Sequence, residues 1–569
     1  MTNADVARML YEFAEMMEMR GDVFKRNAYR RAAHSIEALD RDVEDYHREG
    51  RLEDIPGVGK SIANAVSEMV ETGTSHKLEA LRLQYPQGLA NLMRVPEVGP
   101  RTVARLRKEL GVTNIEELKK AALDHRIRDL KGFGEKSEQS ILRGILVLEK
   151  QGQRLLLGLA LPIAEDIVEH IRRATGLPHV SVAGSMRRMK ETVGDMDVLV
   201  GAEQGDGATE AFLSYPRKAE VLSKGTTRSS MRLADGTQVD LRVVPAQSYG
   251  AALQYFTGSK DHNVQMRRLA IQKGYKLNEY GVFRKEDDTP VAGANEEEIY
   301  RLLGLDFIPP ELRENRGELE AAAEHRLPDL VGLEDIRGDL HIHTVLSDGR
   351  ATMREVAEEA IRRGYAFVGV TDHSPALHIA GGVSIKDLLA SVEEAHRLSE
   401  ELDFTVLRGT EVDIMDDGSL DYPDEVLSQL DYVIASVHRR FRMDRKEMTD
   451  RLMTAMSNEH LNIIGHPTGR ILGKREPYEV DMDRLMEAAT EQKVFLEVNG
   501  FPNRLDLNDR DCRRAREHGT MVALGTDAHG LEQMDNMALA VATARRGWLE
   551  AGSVLNARPT EEVVRLLHR

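Results

Sequence analysis

Three kinds of apolar patterning follow one another along the chain. Over the first 150 residues apolar side chains recur at helical spacing, and the pattern is broken at three similar places. Ile55-Pro56-Gly57-Val58-Gly59-Lys60, Val95-Pro96-Glu97-Val98-Gly99-Pro100 and Leu130-Lys131-Gly132-Phe133-Gly134-Glu135 each place an apolar residue before G-x-G, or a near form of it, and then start a helix. In the second copy Glu97 replaces the first glycine. Met9, Met16, Met17 and Met19 read as filler in a helical core. From about residue 150 to 310 short strands appear, among them His179–Ala183, Gly194–Val200 and Gln238–Val244. Beyond residue 335 short apolar runs (367–370, 433–435, 461–464 and 521–524) alternate with helical segments, as in a parallel β/α array. The stretch ELRENRGELEAAAEH between these regions predicts a polar helix. The pattern as a whole predicts a multidomain α+β and α/β chain.

A length of 569 residues predicts three or four domains at about 150 residues each. With 41% hydrophobic and 30% charged residues the composition is globular. No run approaches the roughly 18–20 apolar residues of a membrane span, and the N-terminus lacks a cationic-then-apolar signal layout. A single cysteine, Cys512, excludes a disulfide framework and predicts a reducing cytoplasm. The net charge of −18 argues at first against a nucleic-acid partner. Its distribution removes that argument. Residues 1–310 carry 45 basic and 46 acidic residues, whereas residues 311–569 carry 32 and 49, with 12 of the 19 histidines. The two halves are therefore expected to do different work.

Each half has its own candidate chemistry. Glycine turns at helix starts point backbone N–H groups outward and bind phosphate without reading bases. Gly57, Gly59, Lys60, Gly99, Gly132 and Gly134, with Arg101, Arg105, Arg107 and Lys108 after the second turn, are thus candidate DNA-backbone contacts. Gly184-Ser185 is followed by Gly194-Asp195-Met196-Asp197 and by Asp240 on a further strand. Asp195 and Asp197, two apart on a strand, face one side. Together with Asp240 they can hold two Mg²⁺ ions about 3.5–4 Å apart for phosphoryl transfer. In the acidic half His341, His343, Asp348, His373, Glu411, His438, His466, Asp527 and His529 follow strand-like runs. Ligands at successive strand C-termini converge at one end of a barrel, and imidazole with carboxylate suits Mn²⁺, Zn²⁺ or Fe²⁺. His378, His396, His460, His518 and His568 lack that context and read as structural or surface residues.

AGSMRRMKETVGDMDVLV resembles the palm of family X DNA polymerases, the group of DNA polymerase beta. The likeness continues through Tyr255-Phe256-Thr257-Gly258-Ser259, Asn263 to Arg267, Asn278-Glu279-Tyr280 and Glu296 to Leu305, and upstream through Phe24 to Arg30. It covers about residues 1–310. It implies that Asp195, Asp197 and Asp240 bind Mg²⁺ or Mn²⁺, and that Ser185, Arg188 and Gly194 bind the incoming triphosphate. It further implies that Tyr255, Phe256 and Gly258 lie against the nucleotide sugar, that Asn263 contacts the base or minor groove, and that Arg267 and Lys25 contact DNA. Two positions depart from the pattern. Lys260 stands where an acid is expected. Ala65 stands where family members with deoxyribose-phosphate lyase activity carry a Schiff-base lysine, and such a base requires an amine.

Residues 335–569 resemble the PHP (polymerase and histidinol phosphatase) domain, a distorted (β/α)7-type barrel. That resemblance implies that the nine candidates bind a cluster of three ions bridged by Glu411, with His341, His343, Glu411 and Asp527 on one of them. Arg504 and Arg439 or Arg440 would meet phosphate or DNA. The implied layout runs as follows: 1–85, a lyase-like helix-hairpin-helix domain; 86–150, a second helical DNA-binding subdomain; 151–250, a nucleotidyltransferase palm; 251–310, a nucleotide-selecting, fingers/thumb-type subdomain; 311–334, a linker; and 335–569, the PHP domain. The expected protein is a cytoplasmic, nucleoid-associated monomer with no membrane contact. It fills short gaps in primer-template DNA from deoxynucleoside triphosphates and degrades 3′ ends, with 3′-phosphatase and abasic-site endonuclease activities at the same metal cluster. In two alternative readings the PHP half is a small-molecule phosphatase or a structural module.

Overall fold

The computed structural model describes residues 3–568 apart from 21, 38, 40, 79–80, 82–91, 93–94, 96–97, 131, 152–153, 204, 235 and 378–380. Glu97 and His378 therefore lie outside the described residues. The chain forms two compact units, residues 1–152 with 473–475, and the remainder.

The first unit is helical. Its helices Asn3–Arg20 and Val23–Glu37 pack face to face, with Phe13 stacked on Tyr29 at 4.7 Å between centroids. Met9, Met16 and Met17 are buried in this core; the Met19 side chain lies outside the described residues. One turn occurs three times. The N–H of Val58 donates to the carbonyl of Ile55 at 3.0 Å, that of Val98 to Val95 at 3.0 Å, and that of Phe133 to Leu130 at 2.9 Å. Gly57 and Gly132 take the left-handed φ (79° and 87°) that a side chain disfavours. Gly59 and Gly99 are the extended N-caps of helices Lys60–Thr72 and Pro100–Leu110.

The second unit opens with a mixed five-stranded sheet: β1 (Val180–Val182), β2 (Met196–Gly201), β3 (Lys218–Ser223), β4 (Arg228–Leu233) and β5 (Gln238–Val244), in the order β1-β2-β5-β4-β3. β2 and β5 are parallel, and Asp197 is paired with Asp240 across them. Asp195 was expected inside this strand and stands immediately before it, because β2 begins at Met196. Helices Tyr249–Thr257, Lys260–Gln272 and Glu296–Leu302 follow, with the antiparallel strands β6 (Tyr275–Asn278), β7 (Gly281–Arg284) and β8 (Pro290–Ala292).

The stretch read as a polar helix is shorter and less polar in its surroundings than its composition implies. Only Glu318–Ala323 is α-helical, and Arg313 and Glu318 have no exposed surface. Each has a buried polar partner. Arg313 Nη1 donates to Glu296 at 2.6 Å, and His262 Nδ1 lies 2.8 Å from Glu318.

The last region is a parallel barrel: β9 (Gly338–Asp339), β10 (Phe367–Val370), β11 (Thr405–Asp413), β12 (Tyr432–Ser436), β13 (Ile463–Ile464), β14 (Phe495–Asn499) and β15 (Val522–Gly525). The strands lie in sequence order, and a parallel bridge between Ile342 and Ala528 joins the first edge to the last. Helices cover the outside and start at side-chain caps such as Thr352, Ser384 and Asp444. The barrel shares buried side chains with its neighbours. Leu505 and Leu539 pack into the core of the five-stranded sheet, and Trp548 packs into that of the following subdomain.

Candidate functional site

Asp195, Asp197 and Asp240 present carboxylate oxygens within 4.8 Å of one another, a geometry that suits divalent cations. Burial, then Asp195 and Asp240, raise the Asp197 carboxyl to about 6. Three acids gathered at this density repel unless a cation joins them. Asp240 is steadied by Gln238 Nε2 at 2.9 Å and by Arg228 at 3.4 Å. Gly184 is required locally. Its φ is +66°, and a Cβ there would stand 2.5 Å from Asp197 Oδ2. Ser185 follows it in the short helix Gly184–Arg187, and Gly194 directly precedes Asp195.

Arg188 donates through Nε to Glu314 at 3.0 Å and through Nη1 to the carbonyl of Thr257, close to Gly258. Tyr255 and Phe256 meet edge to face, and Arg242 lies over the Phe256 ring. Asn263 is buried. Its amide donates to the carbonyl of Tyr255 at 2.7 Å, and its Oδ1 accepts from Gln254 at 2.8 Å. Arg267 and Lys260 are exposed. In the helical unit Lys60 is exposed beside Gly59, and Lys25 pairs with Asp22 at 3.0 Å. The Arg101 side chain lies outside the described residues. Arg105 pairs with Glu109 and stacks over Phe133 of the third turn.

At the C-terminal ends of the barrel strands, ring nitrogens and carboxylates converge in three overlapping groups. These are His343, Asp348, His373 and His529; His341, His343 and Asp527; and His373, Glu411 and His438. Glu411 Oε2 lies 3.5 and 3.6 Å from Nε2 of His341 and His343, and its Oε1 lies 2.9 Å from His466 Nε2. Nε2 of His341, both ring nitrogens of His343 and Nδ1 of His466 are buried without hydrogen-bond partners. Such atoms are rare in folded proteins. Converging beside carboxylates, they fit divalent cations.

The electrostatics support the same reading. Burial, then the rings of His373 and His529, push His343 down to about 4, and burial, then Arg504, does the same to His466. Burial opposes charge on His438 too, but Glu411 and Asp413 outweigh it and raise that ring to about 9. Burial works against the Glu411 carboxylate, yet His373, His438 and His341 hold it well below its ordinary value.

Sequence reasoning missed the groups that orient these rings. Glu497 is buried on β14; its Oε1 lies 2.6 Å from His341 Nδ1, and its Oε2 accepts the N–H of His466 at 2.6 Å. Asp413 stands 3.3 Å from His438 Nδ1. A lone acid within the apolar run Phe495-Leu496-Glu497-Val498 was the available signal for Glu497. Arg504 turns inward, with Nε 3.2 Å from Asp527 and a buried Nη1 without a partner. Arg439 and Arg440 pair with Asp416.

Family models match along most of the chain: a helix-hairpin-helix domain at residues 1–75, a SAM-like helix-hairpin-helix tandem at 89–145, a DNA polymerase beta thumb at 252–314 and a PHP domain at 339–500. The DNA polymerase/3′-5′ exonuclease PolX of Bacillus subtilis is 39% identical over 573 residues, all of this chain and all of that one. The chain belongs to the PolX family. It is a DNA repair polymerase that carries a PHP 3′–5′ exonuclease, acts on DNA and deoxynucleoside triphosphates, and depends on divalent metal ions. Two probable phosphatases are also similar over 207 residues, 34% of this chain. That of Caldanaerobacter subterraneus subsp. tengcongensis is 34% identical with 75% of its length covered, and that of Thermoanaerobacter sp. strain X514 is 33% identical with 78% covered. No described helix of this PolX-family chain is long and apolar enough to cross a membrane.

Proposed function

We propose that the chain fills short gaps in primer-template DNA at the five-stranded sheet and trims 3′ ends at the barrel, as a nucleoid-associated monomer of the cytoplasm. Asp195, Asp197 and Asp240 would hold Mg²⁺ or Mn²⁺. His341, His343, Asp348, His373, Glu411, His438, His466, Asp527 and His529 would hold a cluster of Mn²⁺, Zn²⁺ or Fe²⁺, three ions in all. When bound, such ions supply Lewis acidity and neutralise phosphate charge.

The chain's own groups do the rest. Ser185, Arg188 and Gly194 receive the triphosphate, with Arg188 held ready by Glu314. Tyr255, Phe256 and Gly258 form a wall for the sugar. Asn263 keeps one amide N–H and one Oδ1 lone pair beyond its two internal hydrogen bonds, and these would meet base or minor groove. Arg504, with an unpartnered Nη1 beside Asp527, offers a fork for the scissile phosphate. Gly57, Gly59, Lys60, Gly99, Arg101, Gly132, Gly134, Lys25 and Arg267 hold the DNA backbone. Ala65 is buried and carries no amine, so lyase chemistry at that position is absent.

The observation that carries this reading is the presence of two separate cation-fitting clusters within one compact unit. One gapped substrate tests it, assayed with Mg²⁺ and with Mn²⁺. Asp195→Ala with Asp197→Ala is expected to abolish extension and leave 3′ degradation, whereas His343→Ala does the reverse. Loss of both activities in either variant would contradict the division of labour. The phosphatase relatives favour a second activity at the barrel, removal of a 3′-terminal phosphate. Phosphate release from a 3′-phosphorylated primer, absent in His343→Ala, tests that. Retention of release in His343→Ala would assign it elsewhere.

A further inference from the structure

A cavity of about 240 Å³ lies where the five-stranded sheet region, the segment after the thumb and the barrel meet. None of the candidate metal ligands lines it. Five cations do: Lys190, Arg316, Arg470, Arg510 and Arg546, against two carboxylates, Glu191 and Asp509. Both acids are already engaged. Asp509 Oδ2 accepts from Arg546 at 2.6 Å and from Arg316 at 3.2 Å, and Glu191 accepts from Arg470 at 2.8 Å. Arg546 and Arg470 are almost fully buried, with 3% and 8% of their side chains exposed. Lys190 and Arg510 have no carboxylate partner among the described residues, and Lys190 is half-buried. Burial and the facing Arg546 lower its pKa, so the site disfavours its own positive charge. Arg510 is exposed at the rim, and the five cations outnumber the two carboxylates, so an entering anion meets an excess of positive charge.

We propose that this cavity binds a compact phosphate-bearing anion, with Lys190 and Arg510 as its free cations. Phosphate chemistry is favoured because guanidinium forks and an ammonium match its several acceptor oxygens. No aromatic side chain lines the cavity, so nothing there stacks a nucleobase. The site reads phosphate alone. Two sources share that chemistry: the diphosphate released at each nucleotide addition, and a phosphodiester of the DNA strand. The cavity also borders the nucleotide site, because Glu314 accepts from both Arg188 (3.0 Å) and Arg546 (3.2 Å).

Calorimetric titration of inorganic pyrophosphate into the full-length protein, kept metal-free with a chelator, tests the proposal. The wild type is expected to bind, and Lys190→Ala with Arg510→Ala to bind at least ~10-fold more weakly. Charge-retaining Lys190→Arg should bind like the wild type. The double variant should keep primer extension and 3′ degradation, which shows that it is folded. No binding by the wild type, or equal affinity in the double variant, would overturn the assignment. A short single-stranded oligonucleotide then identifies the source. If it displaces pyrophosphate from the wild type, the natural occupant is a strand phosphodiester; if it does not, the occupant is free diphosphate.

Discussion

At the scale of single residues, the barrel site depends on side chains that touch no substrate. Glu497 engages His341 Nδ1 through one oxygen and the His466 backbone through the other, so one carboxylate sets two rings. Groups of this kind fix ring orientation, and their loss costs about 10–100-fold in metal affinity or activity. Glu497→Gln is therefore expected to shift the Mn²⁺ dependence of 3′ degradation to higher concentration by that order and to leave primer extension unchanged. A Mn²⁺ titration of both activities on one substrate checks it. An unchanged Mn²⁺ midpoint would mean that the ring does not need the carboxylate. The sequence marks the residue only as a lone acid in an apolar run; its role comes from β14 lying beside β13 and β15. No local spacing encodes that proximity.

Among elements, helix Glu296–Leu302 shows how a buried charge ties separate segments together. Glu296 receives Arg187 Nη2 at 2.6 Å and Arg313 Nη1 at 2.6 Å. Burial alone would raise its carboxyl; Arg313 and Arg187 outweigh burial and hold it below the ordinary 4.5. A depressed folded-state value means that the stabilisation is complete above pH 4.5 and is lost as pH falls through the folded value. Glu296→Gln leaves two guanidiniums without their charge partner and should cost about 3–5 kcal/mol at neutral pH. The gap in apparent Tm between wild type and variant should then narrow as pH drops below the ordinary carboxylate range, in thermal scans from pH 7 to pH 3. A gap independent of pH would show that the ion pairs are not its cause.

The contacts proposed for the helical turns are to DNA phosphate. Lys60→Ala is expected to weaken DNA binding equally for all sequences. It should also reduce the slope of log affinity against log salt by about one. Fluorescence anisotropy at several salt concentrations measures that slope.

Over the whole molecule, the barrel does not stand apart from the polymerase core. Leu505 and Leu539 pack with the five-stranded sheet, and a Cβ on Gly158 would come within 2.8 Å of Leu539 and Pro502. Trp548, the one tryptophan of the chain, packs into the thumb core and carries Arg513 over its ring at 4.3 Å. Its fluorescence therefore reports on the barrel and its neighbour together. Metal that binds only the folded state stabilises it by about 2.7 kcal/mol at 100 times its dissociation constant. Mn²⁺ should thus raise the melting temperature read from Trp548, and the rise should be much smaller in His343→Ala, whose ring belongs to two of the three ligand groups. An equal rise in that variant would place the stabilising ion outside the barrel cluster.

Local pattern alone determined the succession of regions. Helical spacing with two G-x-G turns and a near form of a third, a strand pair bearing aspartates, and alternating strands and helices each follow from short-range backbone and burial preferences. Asp197 and Asp240 were legible as candidates because Gly184-Ser185 is followed by Gly194-Asp195-Met196-Asp197 and then by a further strand that carries Asp240. The barrel histidines were legible because almost every one follows a short apolar run. Tertiary structure alone decided which of these meet: the register that pairs Asp197 with Asp240, the closure that brings His341 and His343 to Asp527, and the burial of Arg313 and Glu318 in a stretch that reads as solvent-facing. It also decided the cationic cavity, whose five positive groups come from segments as distant as Lys190 and Arg546. Composition counts charges without regard to place. Electrostatic energy depends on distance and burial, and only the folded chain sets those.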